Sequence, residues 1–361
     1  MSTDTSADRV VLADSATATA NSPGRRVRVT EVIEETADAR SFVVEPLGDE
    51  FGAGYRAGQF LTVRVPDIGT GAARCYSLSS SPHADPSMKF TVKRVADGRG
   101  SNWLCDSVAA GDELEVLPPA GTFTPASLDE SVVLVAGGSG ITPVISIAKS
   151  ILFAGSGDVV LIYANRDQDS VIFAEELRAL ESRFAERLSV LHVLESVQGY
   201  PTRRTLSLLV RPFLDRTVYI CGPTPLMDLT AAVCEAEGLP ASRVHSERFL
   251  SLQRDPFAPE ATEPSADEAG EMVCQVEVSI DGAEHQVPWT AGRTLLDALL
   301  AAGVEAPYSC REGACSACVC ALTKGRVRLA RNEILTEDDL ADGYILACQA
   351  EPVSDEIAIE Y

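Results

Sequence analysis

Histidine is scarce in this chain of 361 residues. There are four, His83, His192, His245 and His285, and no two lie close enough in sequence to make a metal-ligating pair. That argues against a zinc site of the Cys2His2 kind and against a Rieske centre, in which two histidines replace two cysteines on one iron. Basic residues are also few: 30 Lys and Arg face 53 Asp and Glu, for a formal net charge of −23. A surface of that sign repels nucleic acid and anionic lipid, and suits a basic face on another protein. Long apolar runs are missing. The longest uncharged stretch, residues 131–148, is interrupted by Gly137-Gly138-Ser139-Gly140 and Thr142-Pro143, so it does not read as a membrane span. No targeting segment is visible, and residues 1–24, rich in Ser, Thr, Ala and Asp, read as a disordered tail. A cytoplasmic protein is expected, and secreted disulfides are a poor explanation for its ten cysteines.

Four of those cysteines carry the strongest signal. Cys310, Cys315 and Cys318 read C-x4-C-x2-C, and Cys348 follows after a long gap. This is the spacing that holds a plant-type [2Fe–2S] cluster. A Cys-x2-Cys pair alone is weak evidence and serves zinc or redox chemistry equally well. Zinc would ask for a second close pair, or paired histidines, and the chain has neither. Gly313 and the small residues around it let the backbone wrap closely round a cluster. Cys320, two residues past Cys318, reads as a small buried apolar residue rather than a ligand.

The length calls for two or three domains. Residues 253–270 are rich in Pro, Glu, Ala and Asp, with Phe257 the one large apolar residue, and read as a linker. Beyond it, residues 271–361 open with a strand placing Cys274, Val276, Val278 and Ile280 on one face. An Asp281-Gly282 turn, a second strand, and a helix over 294–302 stopped by Gly303 lead into the cluster loop. That module carries 16 acidic and 6 basic residues, which suits either a docking face or an ordinary solvated surface. Residues 25–126 hold short alternating segments at 27–32, 60–65, 88–95 and 113–117, and predict an antiparallel β-barrel. Residues 127–252 alternate strands (132–136, 159–163, 188–194, 218–221) with helices (144–153, 173–184, 226–237), and predict an α/β domain with a parallel sheet.

Two motifs in the α/β segment fall at strand ends. Gly137-Gly138-Ser139-Gly140-Ile141-Thr142-Pro143 follows an apolar strand and precedes a helix, where glycines admit a phosphate to the backbone and the helix N-terminus favours its charge. It is not G-x-G-x-x-G, so the usual dinucleotide fingerprint is absent. Cys221-Gly222-Pro223 ends a later strand, and both motifs are placed to line one crevice. In the barrel segment Arg74-Cys75-Tyr76-Ser77 stands out, though alone it is compatible with an ordinary strand surface.

Taken together, Arg74-Cys75-Tyr76-Ser77, the glycine turn and Cys221-Gly222-Pro223 resemble the ferredoxin–NADP reductase superfamily over about residues 25–250. Residues 271–361 resemble plant-type ferredoxins. The resemblance implies an FAD-binding barrel, an NAD(P)-binding domain and a β-grasp [2Fe–2S] domain. It implies that Arg74 holds flavin phosphate, that Tyr76 packs on the isoalloxazine and that Ser77 lies near the reacting nitrogen. Gly100, Ser101 and Asn102 would form the second pyrophosphate segment, and Gly121-Thr122-Phe123 would close the barrel. Gly137, Gly138, Ser139, Gly140, Gly222 and Pro223 would take the nucleotide, with Thr142 and Cys221 near the nicotinamide. Glu247 and Phe249 would stand beside the flavin. Ser77, Thr142, Cys221 and Glu247 are thus the catalytic candidates, and Cys310, Cys315, Cys318 and Cys348 the cluster ligands.

A nicotinamide gives up two electrons as hydride, a cluster accepts one, and a flavin does both, so such a chain is an electron splitter. Residues 164–169 carry Arg166 but also Asp167 and Asp169, which would repel a 2′-phosphate, so NADH is expected over NADPH. Plant-type clusters sit near about −400 mV and Rieske centres at about −150 to +300 mV, so onward flow to a Rieske protein is downhill. The domain order is that of oxygenase reductases with a C-terminal ferredoxin. Residues 163–173 and 249–257 resemble the reductase components of 3-ketosteroid 9α-hydroxylases, which implies a Rieske oxygenase as partner and steroid breakdown as the pathway. The reductases of phenylacetyl-CoA epoxidases share the domain order and imply a diiron partner instead. A redox carrier or sensor without turnover is a different class. A sensor would bring a DNA-binding or signalling element, and the acidic chain shows none.

Overall fold

The computed structural model describes residues 24–48, 54–66, 72–249, 252, 255–257, 272–280 and 282–361. The expected tail up to residue 23, most of the expected linker and Asp281 of the expected turn lie outside the described residues.

The first unit is built from β1 (Arg25–Thr36), β2 (Ala39–Pro46), β3 (Phe60–Val65), β4 (Ala72–Ser77), β5 (Met88–Lys93), α1 (Arg99–Ser107) and β6 (Glu113–Ala120). The sheet runs β4-β3-β6-β1-β2-β5, and an antiparallel bridge between Leu78 and Phe90 joins its two edges into a barrel. Alternating Val27, Val29, Phe42, Val44, Leu61 and Val63 fill the inside, as the period-two patterning of a half-buried strand requires. Two strands escaped the sequence reading. In β2 adjacent apolar residues blur the alternation, and β4 consists of small and polar residues.

The second unit contains β7 (Val132–Gly137), α2 (Ile141–Ala154), β8 (Val159–Asn165), α3 (Ala174–Arg183), β9 (Leu188–Leu194), α4 (Glu195–Gln198), α5 (Arg203–Val210), β10 (Thr217–Cys221), α6 (Thr224–Ala236) and β11 (Val244–Glu247). Its sheet is parallel, in the order β11-β10-β7-β8-β9. The chain winds outward from β7 through β8 and β9, then returns to place β10 on the other side of β7. The carboxyl ends of β7 and β10 therefore flank the topological switch point, where a ligand crevice forms. Helix α2 starts at Ile141, three residues before the expected 144. Pro143 sits in the first turn, where its missing N–H has no helical partner to lose.

The third unit holds β12 (Met272–Ile280), β13 (Ala283–Thr290), α7 (Leu295–Ala301), β14 (Val319–Lys324), β15 (Val327–Leu329), α8 (Glu337–Ala341), β16 (Tyr344–Leu346), β17 (Ala350–Pro352) and β18 (Glu356–Glu360). A mixed sheet, β13-β12-β18-β14-β16, is joined by the small pair β15-β17. Thr294 caps α7 by accepting from the Asp297 amide at 3.2 Å, and Gly303, at φ +77°, ends it. Cys274, Val276 and Val278 are buried on one face of β12, with Trp289 opposite. No helix among the described residues is long and apolar enough to cross a membrane.

The barrel meets both other units. Toward the nucleotide unit the join mixes both kinds of contact: Phe123 packs edge-on against Tyr219 at 5.4 Å, Ser81 and Ser150 hydroxyls lie 2.7 Å apart, and Ser146 donates to the Ser80 carbonyl at 2.6 Å. Toward the third unit it is mostly apolar. Ala73, Leu117, Leu252, Phe257, Cys310 and Ala314 form one buried cluster.

Candidate functional site

Strand β4 organises the site because successive side chains leave a strand on opposite faces. Arg74 and Tyr76 point one way. Tyr76 stacks on Phe90 with ring centroids 5.8 Å apart, and burial pushes its hydroxyl well above the usual phenol range. Both converge on the first turn of α1: a Cβ at Gly100 would come 2.9 Å from Arg74 Cγ and 3.4 Å from the Tyr76 hydroxyl. The absence of a side chain at Gly100 thus keeps open a cradle formed by an arginine, a tyrosine and a helix N-terminus, a combination suited to a phosphate next to a flat aromatic system. Neighbouring Ser101 and Asn102 turn their side chains back onto the preceding loop. Ser101 Oγ accepts from the Val95 amide at 3.2 Å, and Asn102 Nδ2 donates to the Val95 carbonyl at 3.3 Å. That segment therefore presents backbone rather than side chains to a ligand.

The two glycine motifs of the nucleotide unit meet backbone to backbone. A Cβ at Gly140 would fall 2.1 Å from the Cys221 carbonyl oxygen, and one at Gly137 would fall 2.7 Å from Pro223 Cδ. Gly222, at φ +158°, passes within reach of the Gly137 backbone, which leaves no room for a Cβ there either. Gly138 is left-handed at φ +52° and its carbonyl accepts from the Tyr163 hydroxyl at 3.1 Å. Thr142 donates to the Ser139 carbonyl at 3.0 Å, which ties the turn to the helix it opens. Beside Gly137, at the end of β8, both side-chain amide atoms of Asn165 are buried without a hydrogen bond. An unsatisfied buried amide at the mouth of this crevice is what a polar ligand would complete.

Ser77 joins the two halves. Its hydroxyl donates to Glu247 Oε2 at 3.2 Å, across the barrel–nucleotide boundary. Glu247 lies directly beside Cys221 in the β10–β11 register. Burial pushes the Glu247 carboxyl up to about 8, against the opposing pull of the Ser77 hydrogen bond. Burial, then the nearby Glu247, raise the Cys221 thiol. The structure thus brings together Ser77, Cys221 and Glu247, with Thr142 buried at the head of α2. Phe249, two residues beyond β11, is 48% exposed.

The four predicted ligand cysteines close on one another. Backbone amides are turned toward their sulfurs: those of Glu312 and Ala314 donate to Cys310 Sγ at 3.3 and 3.4 Å, that of Cys310 to Cys315 Sγ at 3.3 Å, and that of Cys348 to Cys318 Sγ at 3.5 Å. Arg311 and Ser316 adopt left-handed φ of 55°, which lets the loop double back. Hydrogen bonds from Cys315 and Cys348 hold the Cys310 thiol well below its usual range, and the same contacts push Cys315 and Cys348 up. Amide donors aimed at a ring of thiols fit an iron–sulfur cluster, whose potential such hydrogen bonds tune. Among the described residues no three His, Cys, Asp or Glu side chains gather as for one metal ion. A two-iron cluster divides its four ligands between two irons. Cys320 is buried in the module core, as its reading as an apolar residue predicts.

Several working residues were not legible in the sequence. Lys149, 2% exposed, reaches Asp85 and Glu176 at 2.8 Å each. Burial opposes ionisation of Glu176, but Lys149 and Lys89 overcome it and hold its carboxyl below the usual range. A lone lysine in an apolar helix was the available signal. Thr62 and Ser309, whose hydroxyls lie 2.6 Å apart across the barrel–cluster boundary, offered none.

Comparison with known proteins gives three family matches along the chain: an oxidoreductase FAD-binding domain over residues 26–124, an oxidoreductase NAD-binding domain over 134–232, and a 2Fe-2S iron-sulfur cluster binding domain over 278–353. The ferredoxin reductase component of 3-ketosteroid-9-alpha-monooxygenase from Rhodococcus rhodochrous is 51% identical, over 92% of this chain and 95% of that protein. A component of the 1,2-phenylacetyl-CoA epoxidase from Escherichia coli is 29% identical, over 92% of this chain and 96% of that protein. Phthalate dioxygenase reductase, described as a modular structure for electron transfer from pyridine nucleotides to [2Fe-2S], shares the architecture with a TM-score of 0.54 and 28% identity, over 94% of this chain and all of that one.

Proposed function

The chain belongs to the family of ferredoxin-type reductase components of multicomponent monooxygenases, and we propose that it takes hydride from NADH and delivers single electrons to the Rieske oxygenase of a 3-ketosteroid 9α-hydroxylase. The observation that carries the reading is β4 itself. It presents Arg74 and Tyr76 to the phosphate cradle, ends at Ser77 against Glu247, and turns Cys75 toward the cluster loop. When bound, FAD supplies two-electron acceptance and one-electron release, and the cluster supplies one-electron transfer.

The chain's own residues then have these parts. Arg74 and the α1 backbone at Gly100, Ser101 and Asn102 hold the flavin phosphates, and Tyr76 supports the ring. Gly137, Gly138, Ser139 and Gly140, with Gly222 and Pro223, admit the nucleotide at the switch point. Asn165 is added as a polar contact on the strength of its unsatisfied amide. Thr142 and Cys221 border the nicotinamide. Glu247, protonated through neutral pH, holds a proton against the Ser77 hydroxyl beside the reacting ring. Phe249 completes the flavin's surroundings. Cys310, Cys315, Cys318 and Cys348 hold the cluster. The modules span 25–126, 127–252 and 271–361, and the protein works in the cytoplasm.

NADH is favoured because the cation that would bind a 2′-phosphate is already engaged. Arg166 lies 3.4 Å from Asp38 and 3.2 Å from Ser170, while Asp167 holds the Ser170 amide at 2.9 Å. The steroid pathway is favoured over the epoxidase by 51% against 29% identity at equal coverage. The test is stopped-flow reduction by NADH, followed at the flavin and cluster bands, with a Rieske ketosteroid oxygenase and a diiron epoxidase added separately. Rapid flavin bleaching, then cluster reduction, then faster reoxidation by the Rieske protein is expected. Faster reoxidation by the diiron protein would reassign the pathway, and a higher kcat/KM for NADPH would reassign the donor.

A further inference from the structure

We propose that Thr62, Ser309 and Cys75 form a latch that holds the cluster loop on the flavin barrel, so that the cluster receives its electrons in place and the ferredoxin module does not swing to collect them. This rests on the functional reading above and adds how the module is held.

The latch is built from two strands and one loop. Thr62 lies on β3 and pairs with Cys75 of β4 in the sheet register. Both side chains face the third unit. Thr62 Oγ1 lies 2.6 Å from Ser309 Oγ, and Cys75 Sγ lies 3.6 Å from the same hydroxyl. Thr62 and Ser309 are both 1% exposed. Ser309 immediately precedes Cys310, so the bond fixes the first residue of the ligand loop. On either side the contact is dry: Ala73, Leu117, Cys310 and Ala314 pack in one buried cluster, and Phe60, Ala120 and Ala317 in another, with Cys75 and Cys315 touching both.

The segment following the nucleotide unit reinforces the contact. Phe257, 1% exposed, enters the first of these clusters, and the Arg64 guanidinium of β3 covers its ring at 4.7 Å. Of the residues between the second and third units, Leu252 and Phe257 are thus packed on the barrel at the place where the ligand loop lands. Two consequences follow. The barrel side of the loop is closed to any acceptor, which must approach the cluster from another face. Cys75, flanked in sequence by Arg74 and Tyr76, is also the side chain that links the phosphate cradle to the ligand loop across the thickness of one strand. These are positioning residues. None of them is a proposed cluster ligand or nicotinamide contact.

The electron balance is simple. Each hydride brings two electrons and one proton. The electrons cross this junction one at a time to the cluster and leave to the terminal oxygenase, and the proton returns to solvent.

The test compares hydrogen exchange in the purified holoprotein of the parent, Thr62→Val, Ser309→Ala, the double variant, and Thr62→Ser. Breaking a buried hydroxyl pair should speed exchange about tenfold in peptides covering residues 60–65 and 306–317, since an unpaired buried hydroxyl favours local opening by about that factor. The double variant should add little to either single one, because both remove one interaction. Thr62→Ser should keep the protection. The cluster absorption spectrum and NADH–ferricyanide activity should stay unchanged, while flavin-to-cluster transfer slows. Unchanged exchange in both single variants, or full additivity in the double, would overturn the latch. Failure of NADH to reduce the parent's flavin would overturn the functional reading instead, and the exchange comparison would still stand.

Discussion

The barrel makes two joins, and they differ in what accompanies the apolar contact. Against the nucleotide unit Ala39, Ala57 and Phe123 pack into the neighbouring core, beside serine contacts and the nucleotide unit's buried Lys149, which bridges Asp85 of the barrel and Glu176. Against the cluster module it uses Phe60, Ala73, Cys75, Leu117 and Ala120, with the Thr62–Ser309 hydroxyl pair at the centre. Charged groups taken out of water stay there only in good geometry, so the first join specifies one relative position of the units that exchange hydride. Apolar contact is less particular about direction, and one short hydrogen bond adds the register. The lesson is that charge pairing adds direction where apolar contact alone supplies little.

The comparison can be broken most completely from the cluster side. Cys348→Ser removes the proposed ligand that arrives from a separate segment. The cluster absorption and cytochrome c reduction should be lost, while NADH reduction of the flavin survives. Loss of both reactions together would show that the joins are not independent. On the other side, Lys149→Met leaves Asp85 with the Ser81 amide and Glu176 with Lys89, and should cost about 3 kcal/mol, the low end for a broken buried pair because each carboxylate keeps that second partner and about a quarter of its side-chain exposure. A drop in the thermal midpoint of the flavin–nucleotide transition, with the cluster spectrum intact, would check it. Phe257→Ala empties the apolar join. It should cost about 2 kcal/mol, less than a truncation deep in a core because a connecting segment can collapse into the gap, and should raise proteolysis near residue 257 without changing NADH–ferricyanide turnover.

A further contrast runs through pH. The raised Glu247 contributes stability that is full below about 4.5 and is lost as pH rises through its folded value of about 8. The lowered Glu176 works the other way, its contribution being present above the ordinary carboxylate value and lost as pH falls. Glu247→Gln should therefore flatten the decline in thermal midpoint between about pH 5 and 8 and leave the acid side alone. An unchanged profile would place the raised carboxyl elsewhere.

Much of the molecule was legible because its signals are local. Strand and helix periods, the Gly303 stop, the Gly137–Gly140 turn and the Cys310–Cys318 loop are each properties of a few consecutive residues, and their expected placements agree with the structure to within a few residues. The misses share a cause. Strand β4 has no apolar alternation because one face serves a cradle and the other a boundary between units. Asn165 looked like part of a polar segment, and only burial at the crevice exposes its unsatisfied amide.

The sequence alone determined the order of units and the kind of chemistry, since loop spacing and glycine placement follow from short-range covalent geometry. The tertiary structure alone decided that Ser77 meets Glu247 across 170 residues and that Thr62 meets Ser309 across 247. Such pairs depend on how whole sheets pack. A serine or threonine has the same local preferences whether it faces water or a partner, so nothing near it in the chain announces the contact.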